Sequence, residues 1–402
     1  MSSWTHSIPS RGKEKKAMQT QNWQFYSRVI AVAAAIVLIA SFTTLVAAQS
    51  VGAEERNAIF SAASKIPTSV KGVSVFAAPP KNFNPLTASN QELLTYGLPQ
   101  RPDKETNATA YQRWERGMLA LKTRVTDVEA RPYSSHQMTP AGSPSVSAIN
   151  GTVSYGSYNW SGIANFNHLT TWNNKTSFDY VTALWNVPVA KKPFGSPPCA
   201  DGPWYEVTWP GIGGFISGSL VQGGSYNYTP CSGASIYEGW VEWYPSYSIL
   251  ALDCGTKLCP VGPGDDFVVT CYAAAGFADQ NVFVEDITQQ WSGTITLTYV
   301  SGPAMVGSSA EYIVERPGSG NGYLPLNNYI AEFYEESYAY NGAGTLFFPG
   351  NAGAATAIFG MVSDDGTTAI SAPLSYGTAG NQGRYSFIVA DENCAYTGGC
   401  TK

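Results

Sequence analysis

The chain has 402 residues, 44% of them hydrophobic and only 13% charged, with 24 Tyr, 11 Trp, 40 Gly and 25 Pro. This mixture can bury a sizeable core, excludes wholesale disorder and disfavours a helical bundle or a coiled coil; it fits short strands, aromatic faces and many turns. Residues 1–149 hold 16 Lys+Arg against 9 Asp+Glu, and residues 150–402 hold 7 against 20, so the acidic part lacks the bases that nucleic-acid phosphates demand and its carboxylates are best tolerated in acid.

Residues 29–48 are uncharged and mostly apolar, follow Arg11, Lys13, Lys15, Lys16 and Arg28, and end in Val46-Ala47-Ala48. That is the pattern of a secretory signal with small residues at its cleavage site; left uncleaved, the same twenty residues would anchor the chain in a bilayer. Either outcome places the remainder outside the cytoplasm. Residues 49–148 are cysteine-free and dotted with Pro and Ser. Within them Tyr111, Trp114, Met118, Leu121 and Val125 recur at helical spacing, with Arg113, Arg116, Lys122 and Arg124 on other faces. A polar Pro/Ser linker over 131–147 then sets a domain boundary near residue 148. We read 1–48 as a signal peptide or anchor, 49–148 as a propeptide with linker, and 149–402 as the catalytic domain. The basic segment is expected to dock its helix over an acidic cleft at neutral pH and to leave as acid neutralises the carboxylates.

From residue 150 the texture is all-β. Alternating or β-branched runs such as 266–272 and 294–300 are separated by Gly/Pro/Asn/Ser clusters, which points to a two-sheet antiparallel sandwich of jelly-roll kind. All seven cysteines lie after residue 198, as expected in an oxidising compartment. Cys254–Cys259, Cys394–Cys400 and Cys199–Cys231 are plausible bridges, with Cys271 left over. The lone histidine of this part is His168, so a histidine-rich zinc site is not available; a Ser-His-Asp or Cys-His arrangement would have to rest on this one residue, which reads instead as a surface histidine.

Two strands carry paired carboxylates. In Y-E-G-W-V-E-W-Y-P at 237–245, period two puts Glu238, Trp240, Glu242 and Tyr244 on one face and Tyr237, Val241 and Trp243 on the other. In A-E-Y-I-V-E at 310–315, Glu311, Ile313 and Glu315 share a face. Carboxylates among aromatics suit a cleft floor better than a core, because a buried unpaired charge is costly. A third segment, W-P-G-I-G-G at 209–214 followed by L-V-Q-G-G at 220–224, is Gly-rich with a single amide, Gln222.

These segments, in this order and beginning with Asn159-Trp160-Ser161-Gly162, resemble the glutamic peptidases, or eqolisins. The family motifs they are similar to are W-V-G-I-D-G, L-Q-T-G, Y-D-A-W-Y-E-W-Y-P and A-E-W-I-V-E. The resemblance implies a sandwich like that of concanavalin-type lectins with a cleft on its concave sheet. It also implies a Gln–Glu dyad made of Gln222 and Glu311, with Trp209, Glu238, Trp240, Glu242 and Tyr244 in the substrate cleft. Gly213 and Tyr226 stand where the family carries acids. The expected protein is a secreted, monomeric acid endopeptidase acting on polypeptides, with its own propeptide as a partner and with no cofactor, metal or nucleic acid. A lectin-like glycoside hydrolase working through Glu238 or Glu242 with Glu311, or a non-catalytic carbohydrate-binding sandwich, is the competing expectation.

Overall fold

The computed structural model describes residues 51–105, 107–131, 152–193, 203–319, 322–334, 336–349, 355–364, 366, 368–376 and 387–391. The expected signal segment, the 132–147 linker and the Cys394–Cys400 pair lie outside them. Among the described residues no helix is long and apolar enough to cross a membrane, and no three His, Cys, Asp or Glu side chains gather so as to hold a metal ion.

The first part folds as α1 (Ala53–Ala62), β1 (Lys65–Pro67), β2 (Val73–Phe76), α2 (Asn90–Thr95), α3 (Ala108–Ala120), β3 (Thr123–Arg124) and β4 (Asp127–Ala130). Then come β5 (Thr152–Ser157), β6 (Trp160–Phe166), β7 (Phe178–Asn186), β8 (Trp204–Gly213), β9 (Leu220–Thr229), β10 (Ile236–Tyr244) and β11 (Leu250–Asp253). They are followed by β12 (Asp266–Tyr272), β13 (Gln280–Asp286), β14 (Trp291–Leu297), β15 (Ser309–Glu315), β16 (Gly318–Ser319) and β17 (Gly322–Tyr323). The last strands are β18 (Ile330–Phe333), β19 (Tyr338–Asn341), β20 (Leu346–Phe347), β21 (Ala355–Val362), β22 (Ala369–Tyr376) and β23 (Phe387–Asp391).

Strand pairing builds a front layer in the order β4-β11-β10-β9-β8-β15-β6-β21-β5. A back layer runs β1-β2-β14-β13-β12-β7, with β18 and β19 beside β7. Pairings through β23 and β22 join the layers. Almost all pairs are antiparallel, which confirms the all-β sandwich. Strands buried on both faces lose the simple polar/apolar alternation, which is why β8 is buried along its whole length.

The core between the layers holds Val221, Val241, Trp243, Ile212, Tyr312 and Val314 of the front sheet. It meets Phe267, Val269, Val282, Val284 and Ile295 of the back sheet. A second cluster lies on the outer face of the front sheet and contains Trp160, Trp209, Tyr226, Trp240 and Ile313. The two faces read from β10 by period two are therefore correct: Trp240 turns outward and Val241 and Trp243 turn inward. The Cys254–Cys259 bridge is formed, Cys231 is disulfide-bonded, and Cys271 is a buried free thiol. His168 is exposed, its ring edge on Phe166.

The N-terminal part departs from expectation in two ways. The helix stops at Ala120, capped at its start by Asn107, because Thr123–Arg124 leave it to pair with β14; Val125 sits in the inter-sheet core instead of on the helix. Nor does α3 cover the dyad-bearing face. It lies with α1 and α2 on the outer face of the back sheet, where Phe60, Leu93, Leu94, Trp114 and Met118 pack on Tyr180, Tyr272 and Phe283. Apolar burial decides this placement: a fully buried Leu, Phe or Met contributes roughly 1.5–3 kcal/mol, against about 0–1 kcal/mol for an exposed ion pair such as Arg116–Asp266.

Several carboxyls are enclosed. Glu206 lies in the sandwich, accepting hydrogen bonds from the Thr208 hydroxyl and the Asn227 amide, and burial pushes it up to about 7. Glu285 lies beneath Gly117 of α3; burial pushes it up to about 8 despite nearby Arg124 and Arg116. Groups raised in this way hold protons in the native state that the unfolded chain releases above about pH 4.3. Their contribution is thus most favourable in acid and is lost as pH rises through about 7 and 8. Thermal melts should show a lower Tm at about pH 8 than at about pH 4, and Glu206→Gln should shrink that difference while leaving the acid Tm near wild type. An unchanged difference would show that Glu206 does not titrate with folding.

Candidate active site

The register of four strands assembles the site. Gln222 of β9 stands opposite Gly211 of β8, and Gly211 stands opposite Glu311 of β15. Directly opposed residues point to the same face, so Gln222 and Glu311 rise from the outer face with only a glycine between them. Two strand spacings separate their backbones by roughly 9–10 Å, and the space over Gly211 is taken by the Leu220 and Trp209 side chains. A Cβ there would lie 2.8 Å from Leu220 Cδ1 and 2.9 Å from the Trp209 ring. On the far side of Gln222, Glu242 of β10 is its direct partner, and Gln222 Nε2 donates to Glu242 Oε2 at 2.6 Å. One amide N–H is thereby committed; the second N–H and the carbonyl oxygen are left. Gln222 Oε1 and both oxygens of Glu311 are buried without a hydrogen-bond partner of good geometry.

Gln222 and Glu311 are both 0% exposed. The expected open cleft is thus closed over in this form. Part of the cover is the turn after β8, where Phe215 packs against Tyr155, Phe166 and Phe359. Enclosure raises the Glu311 carboxyl well above the usual range; the Ser309 hydroxyl and the amides of Phe215 and Glu311 offset only part of this.

The other expected residues share the face but differ in what they touch. Trp209 lies two residues before Gly211, its ring edge-on to Trp160, and its Nε1 donates to Glu315 Oε2 at 2.9 Å. Glu315 Oε1 accepts from Asn159 Nδ2 at 2.8 Å. Trp240 is paired with Gly224, which has no side chain to compete with the ring. Tyr244, opposite Leu220, is half-buried at the end of β10. Glu238 is opposite Tyr226, four residues along from the dyad, and is held by Arg131 at 3.1 Å. Tyr226 therefore occupies a place beside Glu238 where a second acid would repel it. Gly213, at the other departure from the family motifs, has φ +89°, and a Cβ would lie 2.1 Å from Ser219 O; this turn admits no side chain.

Sequence reasoning did not find Gly211, the Asn159–Glu315–Trp209 chain, Arg131 or the Phe215 turn. Gly211 was within reach, since its glycine-rich surroundings marked close approach, but its place between the dyad residues follows only from strand register.

The sequence matches the family described as Peptidase A4 over residues 158–379, more than half of the chain. Among solved structures, scytalido-glutamic peptidase with a transition-state analogue inhibitor is 18% identical with a TM-score of 0.42, over 58% of this chain and 98% of that one. The aspergilloglutamic peptidase of Aspergillus niger is 23% identical with a TM-score of 0.38, over 47% and 99%. No curated protein matches the chain. With the family match spanning β6 through β22, the chain belongs to Peptidase A4, the glutamic peptidase or eqolisin family.

Proposed function

We propose that the protein is an exported endopeptidase that hydrolyses polypeptides in acid with Gln222 and Glu311 as its dyad. The observation that carries this is the pair of buried, unpartnered polar ends flanking Gly211. Buried polar groups without partners are rare in native structures, and a water and a peptide carbonyl would supply the partners of good geometry that these ends lack. In the open form, entry of water lowers the desolvation that raises the Glu311 carboxyl. The ionised carboxylate then takes a proton from the attacking water, and the free N–H of Gln222 donates to the oxyanion of the tetrahedral intermediate. Glu311 returns the proton to the leaving amine as the bond breaks. Glu242 fixes the amide of Gln222 with its N–H toward the carboxylate, so its part is to orient the oxyanion donor. Trp209, Trp240, Tyr244 and Glu238 form the surrounding floor on which the substrate lies.

A carbohydrate-cleaving carboxylate pair fits this geometry poorly. Glu242 is three strand spacings, roughly 14 Å by backbone, from Glu311 and is engaged by Gln222; Glu238 is engaged by Arg131. Export follows from the 29–48 stretch, and an acidic destination from the scarcity of bases in 150–402.

The test is cleavage of denatured casein or haemoglobin from acid to neutral pH with pepstatin present. Acid-limited cleavage that ignores pepstatin is expected; no cleavage at any pH after processing would refute the assignment. Glu311→Gln should lower kcat by about 10²–10⁴-fold or more, with Tm unchanged or raised at neutral pH because a desolvated ionisable group is gone. Gln222→Ala should cost about 10²–10³-fold in kcat. Glu315→Gln should behave differently: it places an N–H₂ against a donor, either Asn159 Nδ2 or Trp209 Nε1, and should lower Tm by more than Glu311→Gln does. If Glu315→Gln is inactive with an unchanged Tm while Glu311→Gln retains turnover, the general base has been assigned to the wrong carboxylate.

A further inference from the structure

We propose that residues 51–131 are a permanent, non-covalently held part of the folded enzyme, and that they stay bound after the chain is cut between Arg131 and Thr152. The surface in question is the back sheet with one edge of each layer, and its occupant is this chain's own N-terminal segment.

Three independent kinds of contact point to retention. The segment supplies strands to both layers: β2 pairs with β14 over Val73–Val75 at the edge of the back sheet, and β4 pairs with β11 along its full length at the edge of the front sheet. It also contributes to the inter-sheet core, where Val125 and Val128 are 3% and 0% exposed. Its removal would therefore open the sandwich itself and not merely uncover a face. Finally, the fit is cut into the backbone on both sides. A Cβ on Gly293 of β14 would lie 2.5 Å from Val125 Cβ, one on Gly97 would lie 2.7 Å from Thr294 Cβ, and one on Gly117 would lie 2.7 Å from the Glu285 carboxylate. A segment destined to leave needs no such interlocking.

Acid does not undo this arrangement. The carboxylates facing the segment are Asp179 on Arg56, Asp279 on Lys65, Glu336 on Arg113, Asp266 on Arg116, Glu285 near Arg124, Glu238 on Arg131, and Asp253 beside Asp127 and Glu129 of β4. Their neutralisation weakens the ion pairs but leaves the strand hydrogen bonds and the apolar cluster around Leu93, Leu94 and Trp114 intact. Arg56, the most deeply buried of the bases, also donates to the Asp179 backbone carbonyl at 3.2 Å and lies over the Tyr272 ring, contacts that do not titrate with Asp179. The segment is thus expected to persist where the acidic surface is discharged. Arg131, its last described residue, then continues to hold Glu238 on the dyad-bearing face.

The test uses the full chain with a specific protease site inserted within residues 132–149, carried on Glu311→Gln so that the protein cannot process itself. After nicking, the protein is run on gel filtration at about pH 7 and about pH 3.5, on either side of the ordinary carboxylate range, and each peak is identified by mass. Co-elution of the 51–131 fragment with the remainder at both pH values, with separation only in denaturant, is expected. Elution of the fragment as a separate species at about pH 3.5 without denaturant overturns the proposal, whether the remainder stays soluble or aggregates. Adding Gly293→Val, which drives a side chain into Val125, should release the fragment or speed its exchange with labelled free fragment; the same exchange rate as the parent would also count against the interlock. Because elution and exchange are read instead of turnover, the result is independent of whether the Gln–Glu dyad is catalytic.

Discussion

A carboxyl group enclosed in protein with no hydrogen bond of good geometry to either oxygen loses most of the solvation that made it soluble, at a cost of several kcal/mol if it stays ionised. Glu311 is in that position, and the surrounding structure consists largely of what is required to keep it there. Its strand is central, flanked by β6 and β8. Its inward neighbours Tyr312 and Val314 are anchored in the inter-sheet core, and the next outward carboxylate along the strand, Glu315, is fully engaged by Asn159 and Trp209. The same face thus treats two glutamates in opposite ways. Glu315 is satisfied and fixes the wall of aromatic rings; neither oxygen of Glu311 has a partner of good geometry.

Much of this was legible in the sequence because period two is a strict rule. The alternation in 237–245 assigned Trp240 and Glu242 to one face and Val241 and Trp243 to the other, and the structure keeps that division. The likeness of separate short motifs to a known family brought Gln222 and Glu311 into one reading. What the sequence could not supply was register. That Gly211 stands between the two dyad residues depends on β8 pairing with β9 on one side and β15 on the other, and no local pattern encodes it. The helix at 108–120 was visible as a period, but its end was not, since Thr123 and Arg124 were drawn into a ladder with β14. Net charge pointed toward the wrong side of the molecule: the bases of the N-terminal segment do meet carboxylates, yet the apolar stripe of α3 selected the back sheet.

The acidic composition and the buried carboxyls belong together. The sandwich has few bases of its own to pair with interior acids, and Glu206 is held by a threonine hydroxyl and an asparagine amide. Such a group is at ease only when it carries a proton. The interior is therefore arranged for the same conditions that reduce repulsion among surface carboxylates.

The strands β2 and β4 have one more consequence. A sheet edge offers a row of unpaired N–H and C=O groups on which another chain can add a strand, and the usual natural defence is charge, which keeps like molecules apart. In acid this chain's carboxylates lose that charge. With β2 laid along β14 and β4 along β11, the layers end instead in β1 and β4, strands of 3 and 4 residues, and so short an edge is a form of protection that does not depend on pH.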